Sequence, residues 1–384
     1  MSQRASRIGV LIGAVLHGYS WGLYFALTRY FLTSFGALGF RALVLLSGLE
    51  WALPGLSILW GYLADRLGRR VFVALGATGA ISFALLPTFY KPMQFALVAS
   101  YASLAWGLGW PAVVAMFMDT PESYSKVMAF TSAGYALGSG SMGIAFGLLK
   151  LRAFELASVC YLAAYILFYA FYEDPSRSQR ASVRDFVWLL KSMSWLAVSL
   201  VMASFAIELG FASMAVRLRG LVGAGGALLY GLFFGTLPLA FSVPARLCIA
   251  YVLKHVDPRP LLALTLSLYS AYHIGLYCLG GLPLLVLWLL PIYAMYDSSA
   301  YASAQRYAYT NLRASASSVV LTSQCIGGGL LAILSGKLSS LGMLNLLMAS
   351  IILGVSAVVC SAFALRTSKP LNLSSNNTIS YSEV

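Results

Sequence analysis

Charge is what this sequence has least of. Only 10% of its 384 residues are charged, 12 are acidic, and histidine occurs 3 times. With 60% hydrophobic residues and a mean hydropathy of +0.82, too little polar surface exists to cover a water-soluble globule of this length. A soluble fold is excluded, and the chain reads as an integral membrane protein. Its five cysteines, Cys160, Cys248, Cys278, Cys325 and Cys360, fall singly in apolar runs without metal-ligand spacing. No disulfide, metal centre or cofactor is expected from them. A glycine-rich nucleotide loop and a serine, histidine and acid constellation at a membrane face are also missing, so enzyme chemistry has no seat in the sequence.

What the sequence has in quantity is long apolar runs. At roughly 20 residues per spanning helix, about twelve spans can be placed, near 8–32, 39–63, 71–90, 93–118, 125–149, 155–172, 193–216, 224–251, 261–280, 283–305, 314–336 and 340–365. The first run lacks the short apolar core and small-residue cleavage site of a signal peptide and reads as a retained span. The net charge of +13 raises the question of nucleic acid. A phosphate-binding face would gather basic residues irrespective of side, whereas a topology signal alternates from loop to loop. Here they alternate. With the amino terminus taken as cytoplasmic, the inner segments hold roughly twice the Lys and Arg of the outer ones, including Arg66, Arg69 and Arg70, and Arg177, Arg180, Arg184 and Lys191. Both termini are expected in the cytoplasm, with the chain crossing the plasma membrane many times and no nucleic-acid partner.

The most concentrated polar island is residues 61–70, GYLADRLGRR, between the second and third apolar runs. Asp65, Arg66, Arg69 and Arg70 cannot lie in hydrocarbon and so mark a short loop, while Gly61 and Gly68 permit close helix packing and a tight turn. This segment resembles the G-x-L-x-D-R-x-G-R-R/K signature of the major facilitator superfamily, matching it at Gly61, Leu63, Asp65, Arg66, Gly68, Arg69 and Arg70. The resemblance extends over nearly the whole chain, excluding the tail. It implies an all-α integral membrane fold of about twelve transmembrane helices in two six-helix bundles. It implies a secondary active transporter moving a small organic solute by alternating access, with Gly61, Asp65, Arg66, Gly68, Arg69 and Arg70 as a gating motif; a monomer is expected. Asp65 would pair reversibly with an arginine or a helix amino terminus of the other half.

A polar segment at 173–191 divides the chain near its midpoint. The expected organisation is a bundle at 1–172, a cytoplasmic linker at 173–192, a bundle at 193–365 and a disordered cytoplasmic tail at 366–384. The signature recurs in eroded form as YVLKHVDPRP at 251–260, with Arg259 aligned to Arg69. Two features depart from the proton-coupled exporters of the resembled family: Ser103 stands where an arginine precedes the fourth-helix glycine, and the fifth span lacks a glycine-proline pair. Drug-proton exchange is therefore not implied, and direction stays open. Gly134 with Gly138, and Gly143 with Gly147, form small-x-x-x-small pairs in the fifth span. The resemblance assigns that span to packing the two halves together.

The buried polar residues are the candidate site. In the first span His17, Trp21, Tyr24 and Thr28 share one helical face, which either lines a cavity or lets His17 bond a neighbouring helix. Glu50 lies about 13 Å deeper than Arg41 along its helix. It must be paired, wet or protonated, because a midspan charge costs on the order of 3 kcal/mol. Arg29 and Arg41 are read as headgroup contacts. Glu208 and Asp297, with Glu50 and His17, are the candidate coupling residues. Three readings of Glu208 and Asp297 stand beside one another: they carry protons, they tie helices together through fixed hydrogen bonds or by pairing with Arg246 or Arg217, or they contact a cationic substrate directly. Trp21, Tyr24, Trp106, Trp110, Tyr293 and Gln324 are candidates for lining a substrate cavity. The partners implied are a small-molecule substrate, protons and membrane lipid. The alternatives are a facilitative uniporter and a non-transporting membrane enzyme or sensor on the same fold.

Overall fold

The computed structural model describes residues 3–33, 35–118, 121–171, 182–222, 232–308, 310–338 and 341–366. Residues 173–181 of the expected linker, the tail from 367 and the Arg41 side chain lie outside the described residues. The first half contains α1 (Gln3–Thr33), α2 (Gly36–Ala52), α3 (Ser57–Leu67), α4 (Arg69–Ala77), α5 (Gly79–Leu85), α6 (Pro92–Phe117), α7 (Pro121–Leu149) and α8 (Ala153–Phe171). After α9 (Val183–Ser192), the second half contains α10 (Ser194–Val222), α11 (Leu237–Val252), α12 (Pro258–Cys278), α13 (Gly281–Trp288), α14 (Ile292–Gln305), α15 (Arg313–Leu338) and α16 (Leu344–Arg366). No strand occurs among the described residues.

Nine stretches of the described residues are long and apolar enough to cross a membrane. One of them, Ser123–Phe171, contains both α7 and α8. The second and eighth spans are interrupted helices. In the second, a 3₁₀ turn at Leu53–Leu56 carries Pro54 and separates α2 from α3. In the eighth, a π-helical turn at Leu232–Thr236 precedes the short α11. Counted this way the spans match the twelve-helix reading. A break inside hydrocarbon requires every freed backbone group to find a partner. At the second span the Ile58 N–H donates to Thr322 Oγ1 of α15, 2.9 Å away, so the other bundle satisfies the break.

The two six-helix bundles repeat one packing scheme. In the first, α1 packs on α7 and α8, while α4 lies on α6 and α8; in the second, α10 packs on α15 and α16, and α12 on α16 and α14. The bundles meet where α3 packs on α15 and where α7 packs on α11. Small residues set the tightest contact within the first bundle. A Cβ at Gly134 would overlap the Val15 carbonyl oxygen, and one at Gly138 the Tyr19 carbonyl oxygen, so this pair seats α7 on α1. Gly143 and Gly147 meet no other atom within 4 Å. The fifth span does pack the two halves together, through α7 on α11, but not through its glycine pairs: Gly134 and Gly138 seat α7 on α1 within its own bundle, and a Cβ at Gly143 or Gly147 would meet nothing within 4 Å. Gly327 performs the matching task in the second bundle, where a Cβ would overlap the Val201 carbonyl oxygen of α10.

Candidate functional site

Four buried or half-buried acids organise the interior, and each has a different surrounding. Asp65 ends α3 and is 1% exposed. Its Oδ1 accepts from Arg69 Nε at 2.7 Å, and its Oδ2 accepts from the Ser315 N–H and Ser315 Oγ, both at 2.7 Å. Ala314 N–H adds a longer bond at 3.3 Å. The carboxylate thus sits on the first turn of α15, where unsatisfied N–H groups and the helix dipole favour an anion. Across the bundles the partner is a helix amino terminus and not an arginine of the other half; the arginine that Asp65 holds is Arg69 of its own loop. The glycines have separate physical reasons. A Cβ at Gly61 would overlap the Ala314 carbonyl oxygen and the Ser318 side chain, so glycine alone lets α3 approach α15. Gly68 has φ 121° and ψ 126°, a backbone that side chains rarely adopt, and turns the chain from α3 into α4. Arg66 is exposed and donates to the Tyr62 hydroxyl at 3.2 Å, while Arg70 lies over the Tyr169 ring at 5.2 Å.

Asp297 stands on α14 and is 5% exposed. Its Oδ2 accepts from Arg246 Nη1 at 2.8 Å and from the Tyr124 hydroxyl at 3.1 Å. Arg246 Nε donates to Ser132 Oγ at 3.2 Å, and Ser125 Oγ donates to the Arg246 carbonyl oxygen at 2.7 Å. Tyr124, Ser125 and Ser132 belong to α7, so this network too joins the bundles. It lies toward the same end of the molecule as Asp65, because α14 runs to Gln305, whose Nε2 donates to the Met118 carbonyl oxygen just beyond α6. Only one of the two pairing partners considered for the acids is used. Arg217 instead donates to the carbonyl oxygens of Leu276 and Leu279 at the end of α12.

Glu50 is paired as well. Arg29 Nη2 donates to its Oε2 at 2.7 Å, Arg29 Nη1 to its Oε1 at 3.3 Å, and the Tyr24 hydroxyl to Oε1 at 3.2 Å. The expectation that Arg29 faces headgroups is therefore corrected: its guanidinium turns inward onto Glu50, with its flat face 4.2 Å from the Phe25 ring centroid. A fork-shaped donor set matches the two carboxylate oxygens of a neighbouring span, which outweighs snorkelling to the surface.

Glu208 differs from the other three. Among the described residues it has no hydrogen-bond donor and no ion-pair partner. It lines a cavity of about 20 Å³ with Trp51, Ser204, Ile207, Tyr293, Tyr296 and Gln324, room for about one water molecule. The Tyr296 hydroxyl and Gln324 Nε2 are buried there without a hydrogen-bond partner. Residues of α2, α10, α14 and α15 converge on this point, so both bundles contribute.

The remaining candidates lie elsewhere. His17 is 3% exposed and stacks on Trp110 at 4.7 Å, with Trp21 Nε1 donating to its Nε2 at 3.1 Å. Its Nδ1 is buried and unpartnered. Trp21 packs edge-on against Tyr24, Phe83 and Trp106. His17, Trp21, Tyr24, Trp106 and Trp110 thus form one aromatic core of the first bundle, away from the Glu208 cavity. Tyr293 and Gln324 do reach that cavity. Sequence reasoning missed Trp51 and Tyr296 as lining residues and Tyr124, Ser125 and Ser315 as cross-bundle partners. Arg246 was the one signal in the sequence, a basic residue away from the ends of its span. Among the described residues no group of three or more His, Cys, Asp and Glu is placed to hold a metal ion.

Comparison with known proteins accords with this geometry. The chain is 27% identical to the multidrug resistance protein MdtG of Salmonella arizonae over 229 residues, 53% of this chain and 54% of that protein. It spans about half the length of the curated relatives it matches. The human organic anion transporter MFSD10 (TETRAN) superposes with a TM-score of 0.76 at 15% identity, covering 94% of this chain and 100% of that one. The E. coli fucose:proton symporter FucP superposes at 0.67 with 14% identity, covering 93% and 98%. At these identities the likeness is one of fold. The family model of the Major Facilitator Superfamily matches residues 10–332, and the chain belongs to that family of multi-pass membrane transporters.

Proposed function

We propose that the chain is a secondary active transporter that moves a small organic solute by alternating access and couples that movement to protons through Glu208. The observation that carries this reading is the contrast among the acids. Asp65, Asp297 and Glu50 each hold an arginine, whereas Glu208 holds none among the described residues and lines a small cavity between the bundles. A carboxylate without a fixed cation is suited to take up and release a proton as the cavity around it opens to water and closes. Alternation between dry and wet is what rocking of two bundles supplies. The fucose:proton symporter FucP has the same fold, which supports proton coupling as a mechanism available to this architecture.

The end carrying residues 61–70 is the cytoplasmic face in this reading, with both termini on it, following the loop-charge bias. The bundles comprise 1–172 and 193–365, joined by a linker at 173–192, and the transporting unit is a monomer. Asp65 on α15, and Tyr124 with Ser125 on the Arg246 and Asp297 pair, then form two latches of one inner gate. The cavity about Glu208 is too small for an organic solute in this conformation, so binding requires the bundles to part at that level. Trp51, Tyr293 and Tyr296 around a single acid favour a solute with an apolar body and a positive charge.

Uptake into sealed proteoliposomes, with an imposed pH gradient and a panel of organic cations, tests this. Native protein should accumulate a solute only with the gradient, and Glu208→Gln should abolish accumulation while leaving downhill exchange. Flux indifferent to pH in the native protein supports the facilitative uniporter instead. Absence of flux for every solute leaves the enzyme or sensor reading as the better one.

A further inference from the structure

A groove of about 300 Å³ lies between the bundles, lined by Ile58 of α3, Leu190 of α9, Val198 and Val201 of α10, and Val319 and Ile326 of α15. Its walls are almost wholly apolar, and its lip is open: Val198 is 50% and Ile326 47% exposed. In a chain that crosses the membrane, such a lip faces hydrocarbon. Val198 and Val201 stand in the first two turns of α10, so the groove lies in the half of the bilayer adjoining the Gly68 end.

The surface above the groove is basic. Ile58, Tyr62 and Arg66 are four residues apart in turn and share one face of α3, which climbs about 12 Å from the groove to the membrane surface. There Tyr62 stacks on Phe186 of α9 at 4.6 Å, fixing α9 across the head of the groove, and Arg66 donates to the Tyr62 hydroxyl. Lys191 follows groove-lining Leu190 and is exposed, as is Arg184 seven residues before it on the same helical face. Nearby acids are engaged: Asp185 is held in a capping box with Ser182, and Asp65 is buried against Arg69 and Ser315. An apolar slot opening sideways to lipid, with exposed Lys191 next to its wall residue Leu190 and Arg66 farther toward the membrane surface, has the charge and polarity profile of one amphiphile.

We infer that this groove is a binding site for a single anionic phospholipid, with an acyl chain along α10 and α15 and the phosphate on the basic rim beside Leu190, at Lys191. Because α3 belongs to one bundle and α10 and α15 to the other, the lipid bridges both. It favours the arrangement in which Asp65 rests on α15, since parting α3 from α15 removes one wall. The inference depends on the membrane fold alone and not on proton coupling.

The test offers phosphatidylglycerol and phosphatidylcholine of identical chains, in equal amounts, to the delipidated full-length protein in detergent, and counts retained lipid by native mass spectrometry. One phosphatidylglycerol should be retained in preference. Lys191→Gln should lower that preference about fivefold, the weight of one cation beside an anionic lipid. Val201→Trp, which fills the groove, should remove retention of either lipid; Val198→Trp on the exposed lip serves the same end if the first variant does not fold. Equal retention of the two lipids, or a preference untouched by Lys191→Gln, overturns the site. Displacement of the lipid by millimolar inorganic phosphate overturns it also, because the ligand would then be a free anion.

Discussion

The loops that follow the second and eighth spans occupy corresponding places in the two bundles, yet they use their acids in opposite ways. In the first, Asp65 is buried and reaches across to the first turn of α15 while holding Arg69. In the second, Asp257 accepts from the Arg259 N–H at 3.0 Å and pairs with Arg259 Nη2 at 2.6 Å, so the acid serves its own loop and caps α12. The second bundle makes its cross-bundle contact one helix earlier, through Arg246 and Asp297 against Tyr124 and Ser125 of α7. Sequence position therefore repeats, whereas chemistry does not: one junction rests on a helix amino terminus, the other on a buried charge pair. The difference lies in what each helix end offers. The first turn of α15 brings free N–H groups and Ser315 to the junction, and the facing part of α7 brings hydroxyls.

The largest effect is expected where a full charge would be stranded. Asp297→Asn leaves Arg246 buried without its carboxylate and should cost about 3–5 kcal/mol of stability, as should Arg246→Met by itself. The double variant Arg246→Met with Asp297→Leu should recover most of the loss, read as the melting temperature of the purified protein. A double variant no better than the singles would mean that Tyr124 and Ser132 carry the junction. Asp65→Asn should cost less, about 1.5–3 kcal/mol, because the asparagine still accepts from Ser315 but loses the charge that meets the helix dipole and Arg69. Spin labels at the exposed positions Leu67 and Arg306 report it directly: the distance between them should lengthen and broaden in Asp65→Asn. Gly61→Ala should act in the same direction by steric overlap with the Ala314 carbonyl oxygen, with no change of charge. If Gly61→Ala leaves the distance unchanged, close approach of α3 to α15 is not what holds this end together.

Much of the fold was legible because hydrophobic run length and loop charge are local properties. Gly61, Asp65 and Gly68 in register between two apolar runs pointed to a junction before any packing was known. What could not be read was partnership. Ser315 is 250 residues from Asp65, and Tyr124 is 173 from Asp297. Nothing in either neighbourhood marks its partner, because a short polar side chain in an apolar span looks the same whether it bonds its own backbone or another helix. The aromatic face of α1 shows the converse. His17, Trp21 and Tyr24 have the spacing of a cavity lining, yet Trp110, Phe83 and Tyr161 fill the space in front of them. Periodicity fixes which residues share a face and says nothing of what that face meets. Arg29 was misread for a related reason, since its distance from Glu50 along the chain conceals that α1 and α2 are neighbours.

The smallest effect sharpens the comparison most cleanly, because Asp257 bonds to Arg259 of its own loop. The Arg259 guanidinium and N–H hold the Asp257 carboxyl below the usual carboxylate range. A depressed folded-state pKa contributes stability that is present above the unfolded value, near 4, and is lost as pH falls through the folded value. Asp257→Asn should therefore lower stability by no more than about 1 kcal/mol at neutral pH, given that the pair is partly exposed. The gap between native protein and variant should stay constant down to about pH 5 and close at lower pH. The distance between labels at Leu67 and Arg306 should not move. A shift in that distance would show that the second loop participates in the junction after all, and that the two halves are more alike than their acids suggest.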